Sequence, residues 1–124
     1  MRINNKTADY YLAALKLVSK EAKGKFGYAV ARNIRELSTS LKEYMHIKNE
    51  LIVKYGERTN NEYVLNIKSK EFISFQEEIK EIAEIEHDIN IMMIEPEYIY
   101  QSSLTADLID NIMFMILEEG DNNG

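Results

Sequence analysis

The sequence predicts an α+β fold, predominantly α: a long helical hairpin with short strands and a C-terminal helix. Three observations predict it. Apolar residues alternate at spacings of four and three over residues 28–55, the same alternation returns over residues 69–88, and two-residue alternation is confined to brief stretches. A chain of 124 residues with 45% hydrophobic and 29% charged residues suits one core. A single domain over residues 1–119 and a disordered tail over residues 120–124 are therefore expected.

The elements follow in order. Residues 1–5 read as a short edge strand around Ile3, and Thr7 reads as the N-cap of an amphipathic helix carrying Tyr11, Leu12, Leu15 and Val18. Gly24 and Gly27 break that helix. The next pattern, Val30, Ile34, Leu37, Leu41, Tyr44, Lys48, Leu51 and Tyr55, is a heptad seam with one polar interruption, Lys48, and Gly56 is placed to stop it. A helix of this length spans about 40 Å and needs a partner along it. Ser69 caps that partner, whose seam is Phe72, Phe75, Ile79, Ile82, Glu86 and Ile89. Between the two, residues 57–61 are turn-rich and residues 63–67 alternate as a strand does. Residues 89–94 read as a strand closed by Pro96, Tyr98 and Tyr100 sit in an extended segment, and Ser102 or Ser103 introduces a last helix ending near Glu118.

Composition limits the chemistry. Cysteine is absent, which removes disulfides, thiol nucleophiles and thiolate zinc sites. No apolar run has the length of a signal peptide core or of a membrane span, so a cytoplasmic protein is expected. The two histidines are His46 and His87, and His87 lies near Glu84 and Asp88 as a partial metal-ligand set; in so acidic a stretch this proximity reads as a solvated face. There is no nucleophile elbow, Walker loop or dinucleotide fingerprint. No catalytic residue, metal or cofactor is expected, and the protein reads as a binder and not as an enzyme.

Charge is divided along the chain. The net charge of −6 combines +6 over residues 1–55, with 11 Lys/Arg against 5 Asp/Glu, and −12 over residues 56–124, with 4 against 16. Two candidate surfaces result. The acidic one is Glu77, Glu78, Glu81, Glu84 and Asp88, a row of carboxylates able to imitate nucleic-acid phosphates and occupy a basic groove on another protein. The competing reading is a solvated face paired with Lys and Arg of the long helix. The basic one is Lys20, Lys23, Lys25, Arg32 and Arg35 around Gly24-Lys25-Phe26-Gly27, a helix start suited to anions. Its competing reading is a simple hinge. Tyr98, Tyr100, Tyr10 and Tyr11 are candidate aromatic anchors or core edge.

The segment 15–35, the close of the long helix in Lys54-Tyr55-Gly56-Glu57 and the layout after Ser69 resemble a family of small uncharacterised proteins. That family is encoded by tailed bacteriophages and prophages of low-GC Gram-positive bacteria. The resemblance implies an accessory role in the host cytoplasm, as an inhibitor of host defence such as an anti-CRISPR protein or as a virion assembly or structural component. It transfers no functional residues. The leading expectation is an inhibitor that docks on a host defence or nucleic-acid-handling protein through the acidic helix; the alternative is a nucleic-acid or nucleotide binder using the basic patch. The open seam and the apolar terminal helix also predict a homodimer, with the Lys48 amine in water.

Overall fold

The computed structural model describes residues 1–118, so the expected tail over residues 120–124 lies outside the described residues. Its order is β1 (Arg2–Asn4), α1 (Asn5–Val18), α2 (Gly24–Ser40), α3 (Lys42–Tyr55), β2 (Glu57–Thr59), β3 (Glu62–Val64), α4 (Lys70–Ala83), β4 (Glu86–Asp88), α5 (Pro96–Tyr100) and α6 (Ala106–Asn111). A 3-10 turn, Met113–Met115, follows. The fold is α+β and predominantly α, as the spacing predicts.

β1 runs straight into α1, and the cap is Asn4, whose side-chain oxygen accepts from the Thr7 amide at 2.8 Å. Thr7 is thus the group capped and not the cap, because the extended backbone of β1 ends at Asn4. The long helix is two helices. It is interrupted at Leu41, with φ −93° and ψ 2°, although Leu41 still donates to Leu37 and accepts from Met45. Ser38, Thr39 and Ser40, a run of modest helix formers, immediately precede the break. Leu41 itself is fully buried. The bend lets α2 pack on α1 while α3 pairs with α4.

α3 and α4 form the predicted helical hairpin, with Ser69 capping α4 through the Phe72 amide. Their connection is a second hairpin: β2 pairs with β3 in antiparallel register, Arg58 opposite Tyr63. The turn is Asn60-Asn61 at φ 51° and 67°, the left-handed pair that matches strand twist. α4 ends at Ala83, and the chain turns extended as β4, antiparallel to β1 with Ile3 opposite His87.

The later elements depart further from expectation. Residues 89–94 do not form a ladder strand. The wholly buried Asn33 of α2 receives the Met92 amide at 2.7 Å and donates to the Met92 carbonyl at 3.0 Å, doing for this segment what a neighbouring strand would do. Ile94 then makes an isolated parallel bridge to Ile116. Pro96 opens α5 at its first turn in place of closing an extended stretch, so Tyr98 and Tyr100 are helical. Thr105, not Ser102 or Ser103, caps α6, which gives way after Asn111 to the 3-10 turn.

The core joins both halves. Leu15, Val18, Phe26, Leu37 and Leu41 of the first half meet Ile89, Ile94, Ile99, Ile112 and Met115 of the second, all essentially inaccessible to solvent. Tyr11 stacks on Phe114 with ring centroids 3.9 Å apart. The terminal segment is thereby part of the interior; the sequence predicts a terminal helix that covers part of the open seam and leaves further apolar surface exposed.

Candidate functional site

α4 buries Phe75, Ile79 and Ala83 and turns its acidic residues outward. At about 100° per residue, Glu77, Glu81 and Glu84 share one stripe, and Glu78 lies roughly a quarter turn away. Contacts follow that geometry. Glu78 accepts from the Lys54 ammonium at 2.9 Å and from the Tyr55 hydroxyl at 2.7 Å, both on α3. The Lys54 contact, then that of Tyr55, holds the Glu78 carboxyl below the ordinary carboxylate value and Lys54 above the ordinary lysine value. Among the described residues, Glu77, Glu81 and Glu84 enter no ion pair. Ile73, one turn before Glu77, is 59% exposed and extends the stripe with an apolar end.

Asp88 does not join this face. It lies in β4 and binds the Met1 amine at 3.2 Å, while Glu86 pairs with Arg2 at 3.4 Å. Strand alternation sends His87 the other way, where its Nε2 lies 2.9 Å from the Asn5 side-chain oxygen. His87, Glu84 and Asp88 are therefore not assembled as a metal set, and no group of three such ligands occurs among the described residues. Of the five acidic candidates, three converge and two serve the fold.

The basic candidates are spread. Lys20 and Lys23 lie in the α1–α2 connection, but Arg32 and Arg35 are roughly 12 and 16 Å further along α2 by helical rise. Lys25 is engaged: its ammonium is 3.1 Å from Glu95 and 4.8 Å from the Tyr98 ring centre. The Glu95 hydrogen bond raises the Lys25 pKa, and Glu95 is lowered first by its own backbone amide and then by Lys25. Gly24 holds φ +59°, and a side chain on Gly27 would meet the Ala22 carbonyl at 2.7 Å. Both glycines are thus required by the tight connection, with no phosphate needed to explain them. Tyr28, 65% exposed, stands one turn before Arg32.

Sequence reading passes over one feature. Lys48, the polar residue of the seam, is answered by Asp9 of α1 at 2.6 Å, so its amine is paired and partly buried and does not end in water. The pair sits at a groove of about 440 Å³ between α1, α3 and α4, floored by Tyr44, Phe72, Phe75, Ile79 and Ala83. A lone lysine on an apolar seam is the signal that a carboxylate faces it. Burial, then the Asp9 charge, raises the Tyr44 hydroxyl pKa and keeps it protonated.

No family model, curated protein or solved structure matches the chain. No helix among the described residues is long and apolar enough to cross a membrane.

Proposed function

We propose that the protein is a binding protein whose working surface is the outer stripe of α4, docking on a basic groove of a host defence or nucleic-acid-handling protein. The carrying observation is that Glu77, Glu81 and Glu84 form a row on α4 that enters no ion pair among the described residues, whereas Glu78 and Asp88 are each paired at the surface with a cation of this chain. Three carboxylates on one face, with exposed Ile73 beside them, supply both charge complementarity and an apolar contact. The phage accessory role and inhibitory outcome belong to this proposal and rest on the resemblance in layout.

Capture from a bacterial extract tests it. Wild-type protein is compared with the Glu77→Lys/Glu81→Lys/Glu84→Lys variant and with an Arg32→Glu/Arg35→Glu variant, each checked by circular dichroism. Basic proteins held by the wild type should be lost from the first variant and kept by the second. Retention by the acidic-stripe variant sinks the proposal.

The exposed Tyr28 beside Arg32, with Arg35 one further turn on, favours a second reading: single-stranded nucleic acid stacked on the tyrosine and steered by the arginines. Such binding weakens steeply with salt. Fluorescence titration with labelled single-stranded DNA and RNA at low salt decides it, and no change in anisotropy removes it.

A further inference from the structure

The groove beside the Asp9–Lys48 pair is built differently from the acidic stripe. Its floor is aromatic and aliphatic, and its volume of about 440 Å³ falls in the range of roughly 300–1,000 Å³ typical of small-molecule sites. Charge at its rim is uneven. Asp9 is neutralised by Lys48, so the remaining ionised groups are Lys6, Lys80 and Glu84, two cations against one anion. Neither Lys6 nor Lys80 enters an ion pair among the described residues. Lys6 also stands in the first turn of α1, where the helix contributes further positive potential.

Tyr44 also lines the groove. Tyr44 is 6% exposed, and because no fully buried side-chain polar atom among the described residues lacks a partner, its hydroxyl is open to solvent. Burial, then the Asp9 charge, raises its pKa, so the hydroxyl stays protonated and can donate.

We infer that this groove binds a small amphipathic anion, a carboxylate whose head meets Lys6, Lys80 and the Tyr44 hydroxyl while its apolar tail covers Phe72, Phe75 and Ile79. A cation would meet two lysines and one glutamate, and a neutral apolar molecule would leave the Tyr44 donor and both ammoniums unanswered. Glu84 stands both on this rim and in the acidic stripe proposed for partner binding, so the two sites are told apart at Glu77 and Glu81.

Decanoate is the probe. Titrated into the full chain and followed by two-dimensional NMR, it should shift resonances of Tyr44, Lys48, Phe72 and Phe75 saturably, below the concentration at which it forms micelles. Decyltrimethylammonium, with the same tail and opposite charge, should leave those resonances unsaturated. Lys6→Glu/Lys80→Glu, both surface changes, should weaken decanoate binding about tenfold or more. Tyr44→Phe should weaken it severalfold and keep the fold, while Glu77→Lys/Glu81→Lys on α4's outer stripe, which leaves Glu84 in place, should leave the groove residues responding. Equal binding of both amphiphiles, shifts spread over exposed sites such as Tyr28 and Tyr100, or unchanged affinity in the double-lysine variant would overturn the inference.

Discussion

Asn33 shows how one polar side chain positions a whole segment. Its amide satisfies both backbone groups of Met92 from a fully buried site, so truncation orphans a donor and an acceptor together. Asn33→Ala is expected to cost about 2–4 kcal/mol in urea unfolding. A loss below about 0.5 kcal/mol would mean that water replaces the amide without penalty. Glu78 makes a different kind of contribution, one that depends on pH. Its folded pKa is depressed by Lys54 and Tyr55, so the stability it supplies is fully present above the ordinary value of 4.5 and is lost as pH falls through the lower folded value. Between neutral pH and pH near 3, the melting temperature of the wild type should therefore fall further than that of Glu78→Gln. Parallel falls would show that the contact with Lys54 contributes nothing in solution.

At the level of elements, the terminal segment carries the clearest consequence. Ile112 is fully buried in the turn between α6 and the 3-10 segment, so Ile112→Asp is expected to unfold the protein as judged by circular dichroism. A folded variant would mean that this segment is an accessory surface. The contrast with α4 explains what the sequence made legible. Periodicity identified α1, the seam of α2 and α3, and α4 with its Ser69 cap, because each buries one face of a regular helix. It misplaced the features set by side-chain chemistry or tertiary contact: the bend after Ser38-Thr39-Ser40, the helical start at Pro96, and the pinning of Met92 by Asn33. The acidic stripe was half legible. Spacing groups Glu77, Glu81 and Glu84, but only contacts reveal that Glu78 faces Lys54 and that Asp88 belongs to a strand.

For the whole molecule, the opposite charges of the two halves are partly joined internally, through Lys54–Glu78, Lys25–Glu95 and Arg2–Glu86. The seam is also closed from within at Val30, Leu37, Leu41 and Tyr44. The proposed homodimer is then left with the exposed apolar residues of α3, Ile47 and Val53, which stand about 120° apart around the helix. Light scattering should give twice 14.5 kDa for the wild type and one chain for Ile47→Asp/Val53→Asp. A single-chain mass for the wild type rejects the dimer. The central claim is that the outer stripe of α4 is the binding surface, and the affinity of the captured partner tests it most directly. Calorimetric titration with wild type and with Glu77→Lys/Glu81→Lys/Glu84→Lys should show a loss of about a hundredfold or more, since three complementary charges become repulsive at once. Affinities within twofold of each other, with the variant fully folded, would contradict the account.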